Sequence, residues 1–110
     1  MSDAAALMRG LGLTIAAGGP NGRYPRSHEG PAQGYRWWAH AIDGEYRFGV
    51  QPFPKMELSS PVASAFTAAG FQLMPKRTEA FMNLSGPLDH AVDQGRVVMA
   101  QCEHILARAR

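Results

Sequence analysis

Tyr35-Arg36-Trp37-Trp38-Ala39-His40-Ala41-Ile42-Asp43-Gly44-Glu45-Tyr46-Arg47-Phe48-Gly49-Val50-Gln51-Pro52-Phe53 decides the fold of this chain, because it reads as one β-hairpin with a definite register. Asp43-Gly44 suits a type I′ turn, whose two central residues both take positive φ, as glycine does freely. A two-residue turn then pairs Ile42 with Glu45, Ala41 with Tyr46, Ala39 with Phe48 and Trp37 with Val50. The last three pairs share one apolar face. The opposite face carries Arg36, Trp38, His40, Arg47 and Gln51, with Trp38 facing Gly49, where an aromatic ring can cover a bare glycine. One face therefore reads as core, and the other as a basic surface with a tryptophan in it.

Working outward toward the C-terminus, Pro52 and Pro54 end the second strand, since proline has no N–H for the ladder. Ser60-Pro61 supplies a capping hydroxyl followed by a proline suited to the first helical position. Val62, Ala65, Phe66 and Ala69 then form one apolar stripe, and Gly70 stands where a C′ glycine ends a helix, so a helix is expected over 61–69. Residues 71–74 and 80–84 read as two further strands joined by the polar Pro75-Lys76-Arg77-Thr78-Glu79, a second hairpin with Pro75 at an edge or bulge. Pro87 opens a helix expected to run to about Ala109. Its stripe is Leu88, Ala91, Val92, Gly95, Met99, Cys102, Leu106 and Ala109, free of charge, with Val98 and Ile105 widening it. Asp89 and Asp93 near its start and Arg108 and Arg110 near its end complement the macrodipole. At about 34 Å it crosses a whole small sheet. Gly95 inside it implies a close approach, since glycine there costs about 1 kcal/mol against alanine. The moderately polar far side allows a homodimer through this helix.

Toward the N-terminus, Ser2 can cap a short helix over 4–9, stopped by Gly10 and Gly12, and 13–17 alternates weakly as a short strand. Between them and the hairpin, residues 18–34 hold five glycines and three prolines, and read as a long exposed loop. The whole order, α-β-β-β-α-β-β-α, predicts a two-layer α+β sandwich. It has an antiparallel sheet of about five strands with the long C-terminal helix on one face, in a single domain spanning 1–110.

Composition narrows the function. Eleven basic and nine acidic residues give a net charge of +2, without the basic runs that nucleic-acid tails carry. The lone Cys102 excludes an internal disulfide or a multi-cysteine metal site and fits a reducing compartment. No segment approaches the roughly 18 apolar residues of a membrane span, and Met1-Ser2-Asp3 lacks a basic signal region. The expected location is cytoplasmic.

Catalytic patterns are absent. No pair of His28, His40, His90 and His104 has metal-ligand spacing on a helix; His90 and His104 share a face about 21 Å apart. Cys102 and His104, two apart, point to different helix faces, and Cys102 reads as core. Gly18-Gly19-Pro20-Asn21-Gly22-Arg23 lacks the Gly-Lys-Ser/Thr ending of a phosphate loop and opens no helix. No catalytic residue, metal or cofactor is assigned. A hydrolase or transferase with His40 as base would need a pocket at the sheet face.

What remains is surface. Arg36, Trp38, His40 and Arg47 fall together on one sheet face, joined by Arg23, Tyr24 and Arg26 if the loop folds over it. Tryptophan among arginines suits a protein-interface hot spot and also a base-stacking platform; alternatively, the loop or long helix covers Trp38 and makes it core. Tyr35-Arg36-Trp37-Trp38 with Asp43-Gly44 and Tyr46-Arg47-Phe48, Ala69-Gly70-Phe71, and Leu84 leading through Pro87-Leu88 to Ala91-Val92 together resemble type III secretion chaperones and the related YbjN (TY-Chap) type domains. The resemblance covers Tyr35 to the C-terminus and implies a non-enzymatic dimer that binds partner polypeptide. The expected function is a protein-binding module, chaperone-like or an inhibitor or adaptor, and the alternative is a nucleic-acid binder using the Trp/Arg sheet face.

Overall fold

Asp43 and Gly44 adopt φ of 49° and 78°, the left-handed pair a type I′ turn demands. From that turn an unbroken antiparallel ladder runs from Ile42↔Glu45 to Tyr35↔Pro52, and includes Ala39↔Phe48 and Trp37↔Val50 as expected. The computed structural model describes residues 3–17 and 24–109. Around the hairpin the order is α1 (Asp3–Gly10), β1 (Ile15–Ala17), β2 (Arg26–Ser27), β3 (Tyr35–Ile42), β4 (Glu45–Pro52), α2 (Ser60–Ala68) and β5 (Gln72–Leu73). A 3₁₀ turn at Pro75–Arg77, β6 (Ala80–Ser85) and α3 (Leu88–Arg108) complete it.

Among the described residues six strands form one antiparallel sheet in the order β1-β2-β3-β4-β6-β5. Trp37, Ala39, Tyr46, Phe48, Val50, Ala80 and Leu84 line its inner face and join one buried cluster with Ala4, Leu7 and Met8 of α1, Val62 and Phe66 of α2, and Ala91, Val98, Cys102 and Leu106 of α3. α1 lies over β3 and α3 over β4 and β6. This is the expected α+β architecture with the long C-terminal helix on the sheet. The inward row at Phe48, Ala39 and Met82 comes directly from the period-2 alternation of three paired strands. Phe48 is fully buried, which stabilises the fold by roughly 2–3 kcal/mol relative to an exposed side chain.

Three expectations need correction. Among the described residues the sheet has six strands where about five were expected, because Arg26–Ser27, within the stretch read as loop, pairs with both β1 and β3. Two residues are too few to show a period, and Pro25 beside them reads as a breaker. The cap of α2 is Ser59, whose hydroxyl accepts from the Val62 N–H at 3.4 Å, so Pro61 sits one residue deeper than expected. The C-terminal helix starts at Leu88, with Pro87 as its cap residue. The Ser2 cap and residues 18–23 lie outside the described residues.

Gly95 behaves as its position implied. A Cβ there would stand 3.0 Å from Leu11 Cδ1, so the segment after α1 packs directly on the α3 backbone.

Candidate partner-binding face

Alternation puts a second set of side chains on the outer face. Arg26 pairs with Trp38, Trp38 with Gly49, Gly49 with Phe81, and Phe81 with Gln72, one row crossing five strands. The next row toward the turn is His40, Arg47 and Asn83. The row on the other side is Arg36 and Gln51, with Glu79 immediately before β6.

The centre of this face is aromatic. Trp38 and Phe81 are 1% and 4% exposed, yet neither belongs to the main core. Their rings lie 5.9 Å apart across Gly49, whose absent Cβ would stand 2.1 Å from the Ala80 carbonyl oxygen and 2.7 Å from Phe81 Cβ. Tyr24 closes the cluster from the side, 5.8 Å from Trp38 and stacked on His40 at 4.1 Å. The Arg47 guanidinium sits 5.1 Å above the Phe81 ring. Long arginine side chains thus cover the aromatic floor with their stems, as amphipathic side chains do.

The exposed tryptophan expected on this face is therefore a correction: Trp38 is buried. The residues that cover it, Tyr24 and the Arg26–Ser27 strand, come from the segment read as loop, which folds over the sheet edge as the alternative reading required. Ser27 holds that segment down, its hydroxyl accepting from the Trp37 N–H at 3.0 Å and donating to the Glu29 carbonyl.

The charges around the floor are unbalanced. Among the described residues, Arg26, Arg36 and Arg47 have no carboxylate within 4.0 Å; the ion pairs there are Arg77–Glu57 and Arg96–Asp93. The Nε of Arg26, the Nε of Arg47 and the indole N–H of Trp38 are buried without a hydrogen-bond partner among those residues. Arg36 donates from Nε to Gln51 Oε1 at 3.0 Å, and Gln51 Nε2 donates to Glu79 Oε1 at 3.3 Å. The Arg36 guanidinium also lies 4.1 Å over the Phe53 ring. Burial, and then neighbouring Arg26, push the Arg36 guanidinium below its ordinary value, though arginine keeps its charge at any physiological pH. Burial raises the Glu79 carboxyl, while Lys55, Arg26 and Arg36 pull the other way.

Of the residues expected to form the site, Tyr24, Arg36, Trp38, His40 and Arg47 do come together. Arg23 lies outside the described residues. Phe81, Phe53 and Glu79 were not anticipated. Phe81 enters through β4–β6 pairing, which joins segments about thirty residues apart and leaves no local signal. Phe53 merely continues the β4 alternation of Gly49 and Gln51, and that signal was available.

Among the described residues no group of three His, Cys, Asp or Glu side chains is placed to hold a metal ion. His28, His90 and His104 are exposed and separate, and Cys102 is fully buried. A depression of about 280 Å³ lies between Gly12, Leu13, Thr14 and Ser27, His28, Glu29, and the Ser27 hydroxyl on its wall is engaged with backbone. No helix among the described residues is long and apolar enough to cross a membrane. Comparison with family models, with curated proteins and with solved structures returns no match.

Proposed function

We propose that this domain is a non-enzymatic protein-binding module whose outer sheet face receives an acidic stretch of a partner polypeptide. The observation that carries this reading is the set of three arginines, Arg26, Arg36 and Arg47, gathered on one face with no carboxylate of their own within 4.0 Å among the described residues. Guanidinium groups pair carboxylates in a planar, two-pronged geometry that lysine cannot match. Two of the three are already held, Arg36 by Gln51 and Phe53 and Arg47 by Phe81, so little side-chain entropy remains to be lost on binding. Tyrosine and arginine are also the residue types enriched where binding energy concentrates. A polypeptide-binding role is what the resemblance to secretion-chaperone-like domains implies as well.

Nucleic acid is the weaker partner. The buried Trp38 ring offers no open surface for a base, and the net charge of +2 is small for phosphate binding. Self-association through α3 is weaker too: most of its apolar stripe is buried in the core, and Val97, 60% exposed, stands on the outer side among Asp93, Arg96, Ala100 and Gln101.

The test is equilibrium binding, read by fluorescence anisotropy, of a glutamate-rich peptide and of a single-stranded oligonucleotide of equal charge. Wild type is compared with the Arg26→Gln/Arg36→Gln/Arg47→Gln variant. Preference for the peptide, weakened at least tenfold in the variant, is expected. Preference for the oligonucleotide with a steep salt dependence would transfer the face to nucleic acid. Peptide binding untouched by the triple substitution would overturn the reading.

A further inference from the structure

At one end of the arginine face stands Phe53, 54% exposed, and the loop that follows it carries a second large apolar side chain, Met56, 63% exposed. Phe53 is held there from two sides. Its N–H donates to the Gly34 carbonyl at 2.8 Å, and the Arg36 guanidinium lies over its ring at 4.1 Å. Further along, the Leu58 N–H donates to the Arg77 carbonyl at 2.8 Å, which ties the far end of the loop to the turn before β6. Lys55, between the two apolar residues, is close enough to Glu79 to pull its carboxyl down against the upward push of burial. The loop therefore carries exposed apolar side chains and one cation, and Phe53 joins it to the cationic face. Other exposed apolar residues differ in place: Ile42 and Leu88 flank the depression beside the Asp43-Gly44 turn, at the opposite end of β3, and Val97 stands on the outer side of α3.

The register gives this arrangement a spacing. Moving along β3 from the turn, the outer face presents His40 beside Arg47, then Trp38 beside Arg26, then Arg36 beside Gln51, and Phe53 comes next through the β4 alternation. The steps are two residues each, so His40 and Arg36 are about 14 Å apart along the strand. An extended peptide has the same period, with side chains at alternate positions facing one way.

Resting on the arginine-face reading above, we infer that the bound segment is an extended acidic run with a large apolar residue at one end. Its alternate carboxylates meet Arg47 on β4, Arg26 on β2 and Arg36 on β3, which stand at these three successive levels, and its apolar side chain packs against Phe53 and the loop that follows it. Charge complementarity orients such a segment along the face, and burial of the exposed part of the Phe53 ring adds affinity that an all-acidic peptide lacks.

The experiment measures anisotropy with three labelled peptides of equal length. One alternates Glu and Gly; the second and third carry the same repeat with a terminal Leu, at the N- or the C-terminal end. They are titrated into wild type and into the Phe53→Ser/Met56→Ser variant, whose fold is checked by its thermal transition. One leucine-bearing peptide is expected to bind about five- to tenfold tighter than the purely acidic one. The variant should lose that gain: in it the leucine-bearing peptides should bind no tighter than the purely acidic one, whose own affinity is also expected to fall because Arg36 loses the ring it stacks on. Equal affinity of all three peptides for wild type, or a gain that survives in the variant, overturns the apolar contact and leaves the arginine face standing. Failure of every peptide to bind removes both.

Discussion

The rings of Trp38 and Phe81 meet 5.9 Å apart over the bare backbone of Gly49, which gives the sheet a small aromatic floor on the side away from the helices. Truncating Trp38 removes the largest side chain of that floor and leaves a hole beneath charged groups. Trp38→Ala is expected to cost about 3–5 kcal/mol in urea denaturation, with Tyr24 and Arg26 losing their support. A loss below 1 kcal/mol would mean that the indole is not packed as described.

Gly49 makes a separate demand. Any Cβ would stand 2.1 Å from the Ala80 carbonyl oxygen, a backbone atom that cannot turn aside. Gly49→Ala is expected to destabilise by at least 2 kcal/mol on the scale of overpacked cores, roughly 1–3 kcal/mol, through strain on the β4–β6 pairing. Amide exchange would locate the damage: protection should fall first at Phe81 and Met82. Unchanged protection in β6 would refute it.

These two residues also show what could be read from the chain. The pairing of Trp38 with Gly49 followed from the Asp43-Gly44 turn, because a two-residue turn sets every pair in the ladder. The inward faces of β3, β4 and β6 and the stripe of α3 were legible for the same local reason, a period of 2.0 or 3.6 over six residues or more. The cover over Trp38 was not. Tyr24 and Arg26–Ser27 lie in a stretch dominated by glycine and proline, and two-residue strands carry no periodic signal. Phe81 reached Gly49 through a pairing of distant segments. The set of residues on the outer face was therefore readable while their burial was not, since burial depended on a segment whose structure comes from tertiary contacts.

Glu79 predicts a pH effect. Burial raises its carboxyl in the folded protein above the ordinary value, outweighing Lys55, Arg26 and Arg36. The ionised form is thus less favourable in the fold than in the unfolded chain. The associated stability is fully present below the unfolded value and is lost as pH rises through the raised folded value. Glu79→Gln keeps an oxygen to accept from Gln51 and removes the charge. The variant should exceed wild type in stability at pH 7 by less than about 1 kcal/mol, because the group is half exposed and screened, and should match it near pH 3. A variant less stable at neutral pH would reverse the sign and show that the three cations outweigh burial.

Cys102 predicts a reactivity. It is fully exposure-free within the α3 stripe, and burial, with Glu103 adding to it, pushes its thiol up. A thiol with so little thiolate and no access reacts only when the helix leaves the core. Labelling with a disulfide reagent at pH 8 should proceed at the unfolding-limited rate and accelerate in urea in step with loss of helical circular dichroism. Labelling within seconds in the native state would show that α3 opens locally.

Arg26 predicts that stability and binding move in opposite directions. It stands beside Arg36, lowers that residue's proton affinity, and has its Nε buried without a partner among the described residues. The two neighbouring guanidinium groups repel each other, an effect that Glu79 offsets only in part, so replacing one by a neutral side chain relieves the fold. Arg26→Gln is expected to raise stability by up to about 0.5 kcal/mol at 10 mM salt and by nothing measurable at 1 M, where the repulsion is screened. The same substitution should weaken an acidic peptide severalfold. Charge kept at a cost to the fold, in a place where removing it helps, is what a binding face produces and what a merely structural surface does not. Denaturation at both salt concentrations beside one binding curve settles the matter. A loss of more than 1 kcal/mol at low salt would show Arg26 to be held by favourable contacts, and its charge would then need no partner to explain it.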